Sequence, residues 1–336
     1  MVRRIEYIDY VKAFAIFLVV MGHAIQQLWG TAVDCDSILY RFIYSFHMPL
    51  FFFLSGFCAY REGRSNKSIL TEIQRKAIAL LVPYVIWGGV RSILLNESIV
   101  HCVFFKVHGG LWFLLCLFEI FACFYVLERF ASSINKNKKL WIDVLVYLGF
   151  AICLIVIYKF VLYGTTFALI FDIDMLTLHF KYFIFGYLLH KYSRMESLFT
   201  SPVFISVSFI LFWIVLFLEY NPYYSIINFF TLTIAASTAI LIIYNYFKSV
   251  DLSLHVKPIF LHIGRFTLDI YILHMFFFTG LKGLREYVTP LVDNLIIVLI
   301  LSASLSAINM AICILFSSII SKNKYLSLIL LGKRLK

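Results

Sequence analysis

The chain has 336 residues, of which 62% are hydrophobic, 18% are aromatic and only 14% are charged. Soluble domains carry about 25% charged residues, so this composition excludes an ordinary soluble protein. The net charge of +11 would suit a nucleic-acid partner. However, the Lys and Arg residues gather in alternate short loops, as membrane orientation requires. We therefore expect a protein in contact with membrane lipids and no nucleic-acid partner.

Apolar stretches of about twenty residues recur along the whole chain, which predicts an all-α, polytopic membrane helical bundle. The ten predicted spans are 11–29, 38–60, 77–95, 111–130, 140–163, 175–192, 202–219, 226–247, 262–281 and 293–320. The intervening loops are short, so residues 1–322 are expected to form a single membrane domain. Residues 323–336 are expected to form a short basic amphipathic cytoplasmic tail.

The basic residues also predict the orientation of the bundle. Most of the 29 Lys and Arg residues fall at the N-terminal end, in the loops after spans two, four, six and eight, and in the tail. By the positive-inside rule, both termini are then cytoplasmic, in a plasma (cytoplasmic or inner) membrane. The seven cysteines include no C-x-x-C pair, so we infer neither a disulfide framework nor a metal site.

The first span carries an imidazole deep in an apolar helix. Eleven residues separate Lys12 from His23, so the two side chains fall within about 20° of one helix face, and Asp9 lies one turn below Lys12. A titratable group at this depth is by default a functional candidate. The alternative is that His23 only hydrogen-bonds a neighbouring helix and fixes packing.

The second span opens with a histidine and a proline, His47 and Pro49, in the stretch from Phe46 to Phe57. Proline in a membrane helix frees backbone carbonyls that neighbouring groups must satisfy, often at a functional site. The alternative is an interfacial histidine beside an ordinary kink.

Two cations, Arg75 and Lys76, precede the third span on the cytoplasmic side. Cations in this position can bind the phosphates of a cytosolic donor. Plain positive-inside anchoring explains either one alone equally well.

The fourth span begins with Trp112, which fits an aromatic belt at the membrane interface, and contains Glu119 two turns deeper. An ionised carboxylate at mid-helix is costly, so Glu119 is expected to be protonated, paired or facing water.

The ninth span places Tyr271 and His274 three residues apart on one helix face, with Asp269 near the cytoplasmic end. His274 is expected at mid-depth, like His23. Two midplane histidines and a carboxylate in one bundle favour a functional site over packing alone.

Four stretches of this sequence together resemble the membrane-bound acyltransferase family 3, whose members O-acylate sugars and surface polysaccharides. They are Asp9, Lys12 and His23 of the first span, residues 46–57, residues 111–114 and residues 270–274. The resemblance implies that His23 is the family's essential first-helix histidine. Lys12 stands where the family usually has arginine. The family's Arg-x-x-Arg pair ahead of the third helix falls on Lys76 and Ala79, with Arg75 as the nearest substitute.

The resemblance further implies acyl transfer across the membrane from acyl-CoA, most often acetyl-CoA, to a hydroxyl of a glycan or lipid-linked saccharide. In that reaction the donor's diphosphate is held by Arg75, Lys76 or Lys12. No tightly bound cofactor and no metal is expected. His23 acts as general base or accepts the acyl group, and His274, His47 or Glu119 orient it or stabilise the oxyanion. Trp112 and Tyr271 complete the expected binding residues.

A second function class stays open on the sequence alone. An exporter of polysaccharides or small molecules would use the midplane histidines as a proton relay. The sequence contains no visible internal repeat and no paired helices broken by Gly or Pro, which weakens the transporter interpretation. Turnover of the acyl donor distinguishes the two classes.

Overall fold

In the computed structural model, the described residues are 5–30, 38–61, 68–100, 104, 110–217, 225–278, 283–292 and 294–333. Within these ranges the chain forms helices and turns and contains no strand, which confirms the all-α prediction for this part of the chain. Backbone contacts divide the chain into two compact units. One is Met1–Leu54 with Ser193–Ser317, and the other is Ser55–Tyr192 with Ser318–Lys336.

The described residues form fifteen α-helices. In chain order these are α1 (Glu6–Trp29), α2 (Ile38–Ala59), α3 (Ile69–Leu95), α4 (Trp112–Ile134), α5 (Leu140–Ile157), α6 (Thr166–Ile170), α7 (Ile173–Lys191), α8 (Ser193–Phe199), α9 (Pro202–Phe217), α10 (Ser225–Ser249), α11 (Val256–Arg265), α12 (Thr267–Phe277), α13 (Arg285–Val288), α14 (Leu295–Ile320) and α15 (Lys324–Leu331). A π-helical turn follows α5 at Tyr158–Leu162, and a 3₁₀ turn follows α13 at Thr289–Leu291.

The first unit is built around α1, which packs against α10, α11, α12 and α13. Glu6 and Asp9 lie in its first turn, where acidic side chains interact favourably with the helix dipole. The end of α11 approaches the backbone of α1 closely at Gly264. A Cβ atom at Gly264 would overlap the carbonyl oxygen of Asp9, so only glycine permits this approach.

The ninth predicted span, 262–281, differs from the observed helices. The chain forms α11 and α12 with an 80° bend between them. The break follows Gly264, a weak helix former, and the Thr267 hydroxyl donates to the Gly264 carbonyl oxygen at 3.0 Å. Thr267 therefore satisfies a backbone group at the bend, and α12 begins a new direction before it reaches His274.

The second unit contains α3 to α7, the last residues of α2 and α14, and the C-terminal helix α15. Helix α3 packs against α4 and α15, while α7 packs against α4 and α5. Gly56, in the last part of α2, lies directly against the carbonyl oxygen of Phe183 in α7. A small residue at this position allows the two backbones to approach closely.

The predicted C-terminal tail forms the short helix α15. The Asn323 side chain caps its N-terminus by accepting from the backbone N–H groups of Tyr325 and Leu326. Gly332 ends it in the left-handed conformation with φ of 64°. Trp87 of α3 donates its indole N–H to the carbonyl oxygen of Leu330 at 2.8 Å, so the helix is attached to α3. Residues 334–336 of the predicted tail lie outside the described residues.

Among the described residues, six helices are long and apolar enough to cross a membrane, or up to eight if each bent helix pair counts as one span. The six are Glu6–Trp29, Leu39–Ala59, Ile69–Leu94, Leu140–Leu162, Phe230–Ser249 and Leu295–Ile320, and the bent pairs are α8 with α9 and α11 with α12. The predicted fourth and sixth spans correspond to α4 and α7, which carry several charged residues. The helices are those of a multi-pass membrane protein, and the count of ten stays a prediction.

The contact at Gly56 gives a first prediction. Gly56→Ala is expected to lower the unfolding temperature of the purified protein in detergent, because overpacking a close contact costs about 1–3 kcal/mol. Gly149→Ala is the matched control, since a Cβ atom at that helical glycine would meet nothing within 4 Å. The control should be unchanged or slightly more stable, because alanine favours helix over glycine. Equal unfolding temperatures for the two variants would contradict the close approach of α2 and α7.

Candidate active site

Two histidines from different helices lie side by side in the first unit. The ring centroids of His23, on α1, and His274, on α12, are 5.2 Å apart, with an angle of 39° between the ring planes. His274 is completely buried, whereas His23 is partly exposed. The two mid-span histidines selected from the sequence therefore meet in one place, although 251 positions of the numbering separate them.

The hydrogen bonds of His274 fix its tautomer. Its Nδ1 lies 3.1 Å from the carbonyl oxygen of Ile270 and 2.8 Å from that of Tyr271. A carbonyl oxygen only accepts, so Nδ1 carries the proton and donates it. Nε2 is then an acceptor, and it is buried with no hydrogen-bond partner among the described residues. His274 thus offers a lone pair inside the bundle.

A chain of polar and aromatic side chains extends from His23 along α1 and α2. His23 Nδ1 lies 3.1 Å from Gln26 Oε1, and Gln26 Nε2 donates to the Tyr40 hydroxyl at 2.8 Å. Tyr40 stacks on Tyr44 with ring centroids 3.9 Å apart. The Tyr44 ring meets the edge of His47 at 4.7 Å. His47 donates from Nδ1 to the carbonyl oxygen of the residue four positions earlier at 2.8 Å. The structure therefore links His47 to His23 through Tyr44, Tyr40 and Gln26.

The polar face of α14 supports α12. Asn309 donates from Nδ2 to the carbonyl oxygen of His274 at 3.1 Å, and the Ser317 hydroxyl donates to the carboxylate of Asp269. The ring of Tyr271 lies 5.8 Å from that of His274 and is buried. These contacts hold the segment from Asp269 to His274, so the buried carboxylate has a structural partner near the candidate site.

The C-terminal end of α1 is held by an arginine from α13. Arg285 donates from Nε to the carbonyl oxygen of Gln27 at 2.9 Å and from Nη2 to that of Gln26 at 3.2 Å. Trp29 donates its indole N–H to the carbonyl oxygen of Val288 at 2.9 Å. The last carbonyl groups of a helix have no intrahelical partner and carry partial negative charge. A guanidinium at this end therefore fixes the turn that follows His23.

Lys12, at the opposite end of α1, is paired within its own helix. Its Nζ lies 3.7 Å from the carboxylate of Asp9, and 28% of the Lys12 side chain is exposed. The Asp9 side chain is nearly completely buried. Because the cation is partly exposed, it remains accessible to an anionic ligand while it balances a buried carboxylate.

The two cations predicted to bind a donor lie on α3 in the second unit. Arg75 forms an ion pair with Glu72 at 3.5 Å and keeps 39% of its side chain exposed. Lys76 Nζ lies 3.5 Å from the centroid of the Phe121 ring on α4, a cation–π contact. The Lys76 ammonium is therefore held over an aromatic face, and the Arg75 guanidinium is partly exposed beside its Glu72 partner.

Helix α4 carries the other two predicted site residues of the second unit. Trp112 stacks on His179 of α7, with ring centroids 5.5 Å apart and 28° between the planes. Seven positions later on the same face, both carboxylate oxygens of Glu119 are buried without a hydrogen-bond partner among the described residues. An unpaired carboxyl group at this depth is costly, which favours a functional role for Glu119.

A further carboxyl group of the second unit was not selected from the sequence. Asp172 precedes α7 in a left-handed conformation with φ of 44° and is buried. Burial raises the pKa of the Asp172 carboxyl group, and the neighbouring Asp174 raises it further through a hydrogen bond and its charge. Its position in a short loop between two apolar segments carries no sequence signal of burial.

Comparison with known proteins decides the family. Residues 5–320 match the family model described as an acyltransferase domain, which is nearly the whole chain. The chain belongs to the acyltransferase 3 family. It is also similar to two nodulation proteins NolL. The protein from Mesorhizobium japonicum is 36% identical over 24% of this chain and 21% of its own length. The protein from Sinorhizobium fredii is 30% identical over 40% of this chain and 38% of its own length.

The matched regions thus span well under half of these two curated relatives. No solved structure matches the chain. Membership of the family confirms the resemblance predicted from the sequence and, with the apolar helices, supports a multi-pass membrane acyltransferase. It also favours an enzyme over the exporter that the sequence alone left open.

Sequence reasoning missed several residues around the histidines of this acyltransferase. Gln26 had a local signal, because it lies one turn after His23 on the same face. Arg285, Tyr40 and Asn309 had none, since their contacts with α1 or α12 join positions far apart in the chain. In the sequence Arg285 stands out only because it falls on the predicted non-cytoplasmic side, where few Lys and Arg residues are found.

The cap on α1 gives a second prediction. Arg285→Leu is expected to lower the unfolding free energy of the acyltransferase by about 1.5–3 kcal/mol, the range for hydrogen bonds to a charged group. Arg285→Lys should lose less, because lysine keeps the charge but not the two directed N–H groups. Glu286→Gln, at the exposed next position, is the control and should unfold at the wild-type temperature. An unchanged unfolding temperature in Arg285→Leu would contradict the capping role.

Proposed function

We propose that this acyltransferase transfers an acyl group, preferably acetyl, from cytoplasmic acyl-CoA to a hydroxyl of a cell-surface or lipid-linked glycan. The observation that supports the proposal most directly is the histidine pair. His23 and His274 are 5.2 Å apart, and each donates from Nδ1 and leaves Nε2 as a lone pair. Such imidazoles are suited to receive the proton of an attacking hydroxyl or to attack a thioester themselves.

In the general-base route, the acceptor hydroxyl gives its proton to His23 Nε2 while its oxygen attacks the thioester carbonyl carbon. The tetrahedral intermediate then expels the CoA thiolate, which takes the proton from the imidazolium. In the acyl-acceptor route, His23 Nε2 attacks the thioester carbonyl carbon and expels the CoA thiolate, which leaves an acyl-imidazolium that keeps its Nδ1 proton. The glycan hydroxyl then attacks the acyl carbon, its proton passes to the thiolate, and the bond between the acyl carbon and Nε2 breaks. Both routes use the same nitrogen and return His23 to its starting tautomer.

His274 is proposed to orient the reactants. Because its Nε2 accepts hydrogen bonds in this tautomer, it is suited to accept from a second hydroxyl of the saccharide rather than to donate to an oxyanion. Tyr271 and His47 are proposed to contribute to substrate binding in the first unit. In the second unit we assign substrate binding to Trp112 and a catalytic carboxyl role to Glu119, because its oxygens are buried and unpaired.

Acetyl-CoA is proposed as a co-substrate, with no tightly bound cofactor. Its phosphate groups suit the partly exposed guanidinium of Arg75, the ammonium group of Lys76 or that of Lys12. The basic loops further support ten spans with both termini in the cytoplasm, and a plasma or inner membrane as the location.

The third prediction tests His23. His23→Ala and His23→Gln are expected to lower acetyl transfer by about 10²–10⁴-fold, because neither side chain replaces the imidazole as base or nucleophile. Transfer is measured with purified protein in detergent, labelled acetyl-CoA and a panel of glycans. Expression, unfolding temperature and acyl-CoA binding should remain normal.

His262→Gln is the matched control for these variants, because His262 lies on α11, outside the histidine pair. It should keep wild-type transfer. If either His23 variant transfers at more than a tenth of the wild-type rate, His23 is structural and the catalytic proposal is wrong.

The fourth prediction tests donor binding. Arg75→Ala combined with Lys76→Ala is expected to raise the KM for acyl-CoA with a smaller effect on kcat, because the variant loses charge-assisted bonds to phosphate. The control is Lys138→Ala with Lys139→Ala, which removes two cations from the exposed turn between α4 and α5. Unchanged donor kinetics in the first variant would reduce Arg75 and Lys76 to determinants of membrane orientation.

A further inference from the structure

His23 has a hydrogen-bond partner on its own helix, and membership of the family gives that partner no role. Gln26 lies one turn later on α1, and its Oε1 is 3.1 Å from His23 Nδ1. An amide oxygen only accepts, so His23 donates its Nδ1 proton and Nε2 remains unprotonated. The side chain of Gln26 therefore decides which nitrogen of His23 is available for chemistry.

The orientation of the Gln26 amide is set by a second helix. Its Nε2 donates to the Tyr40 hydroxyl at 2.8 Å, so the oxygen faces His23. Tyr40 is held in turn by stacking on Tyr44, at 3.9 Å and 21° between the rings. The Tyr44 ring lies against Gly22, where a Cβ atom would come within 3.0 Å of it. The two tyrosines of α2 thus position the amide against α1.

The last turn of α1 is also fixed at its backbone. Arg285 binds the carbonyl oxygens of Gln26 and Gln27, so the backbone that carries the amide cannot turn freely. A side chain fixed at both its backbone and its tip loses little freedom when it holds the imidazole. This is the arrangement expected of a residue that orients a reacting group.

We propose that Gln26 is a positioning residue for acyl transfer, which holds His23 in the Nδ1-protonated tautomer with Nε2 free to react. The inference rests on the proposed role of His23. Gln26 does not touch the reacting atoms. Its loss should let the imidazole rotate and populate the other tautomer, in which Nε2 carries a proton and is neither base nor nucleophile.

The test uses three variants of the full chain in detergent. Gln26→Leu keeps the approximate size of the side chain but removes the acceptor, and its kcat is expected to fall by about 10–100-fold with the KM values for donor and acceptor within about twofold. Gln26→Glu restores an oxygen acceptor, to which Tyr40 can donate, and should recover much of that loss. Tyr40→Phe frees the amide to rotate and should show a smaller fall in kcat, of about fivefold.

The matched control is Gln27→Leu. It removes the same side chain one position later, about 100° around the helix, where Gln27 Oε1 has no partner among the described residues. Its kcat and unfolding temperature should be those of the wild type. If Gln26→Leu and Gln27→Leu lower kcat equally, the effect belongs to the helix end and the positioning role is overturned.

The tautomer itself is measured by nitrogen NMR of protein labelled in its histidines, with the His23 signal assigned by its loss in His23→Gln. The wild type and Gln26→Glu should show a protonated Nδ1, and Gln26→Leu should show a shift toward a protonated Nε2. An unchanged tautomer in Gln26→Leu overturns the inference, and so does a normal kcat with a changed tautomer.

These outcomes separate the inference from the proposed function. Loss of transfer in His23→Ala together with full transfer in Gln26→Leu overturns the role of Gln26 alone. Transfer retained in His23→Ala overturns the catalytic proposal and, with it, any role of Gln26 in transfer. The tautomer measurement needs no turnover, so it identifies which of the two has failed.

Discussion

The site depends on one physical requirement: an imidazole N–H buried in an apolar bundle must be hydrogen-bonded. An unsatisfied buried donor costs about 1–3 kcal/mol, so a histidine that is wholly or partly buried is expected to find an acceptor. His47 and His274 use carbonyl oxygens of their own helices for Nδ1, and His23 uses the Gln26 amide oxygen. In these three histidines the bond is made at Nδ1, so their Nε2 lone pairs are left for chemistry. The same bonds that stabilise the fold therefore prepare the reactive atoms.

Close backbone contact with α1 is what brings those atoms together. Gly264 allows the end of α11 to lie on the backbone of Asp9, and the bend that follows sends α12 toward His23. At the far end of α1, Arg285 satisfies carbonyl groups that the helix leaves open. A bulky residue at position 264 would push α11 away from α1. The two imidazole rings, whose centroids are 5.2 Å apart, would then lie farther from each other. Two contacts with α1, one at Gly264 and one at Arg285, thus determine the geometry of the histidine pair.

The sequence predicted the helical class and the two histidines, but it did not predict the bend in the ninth span or the contacts between distant residues. The all-α membrane class followed from composition, and His23 and His274 were selected because titratable groups are rare at such depth. The bend at Phe266 was missed, because hydropathy over 262–281 has no local sign of an 80° turn other than Gly264. Tyr40, Asn309 and Arg285 were missed for another reason. Their partners are distant in the chain, and no local periodicity contains that information.

The turn of α3 at Ala79 departs from the family pattern and contacts the C-terminal helix. The resemblance aligns an arginine position with Ala79, which by itself suggests a weakened donor site. In the structure, the backbone of Gly332 lies directly against the carbonyl oxygens of Ile78 and Ala79, and Trp87 holds the helix before it. A Cβ atom at Gly332 would come within 2.7 Å of both carbonyl oxygens, so glycine permits this approach. The turn of α3 that carries Ala79 is therefore used for docking the C-terminal helix, and Arg75 and Lys76 lie one turn earlier on the same helix.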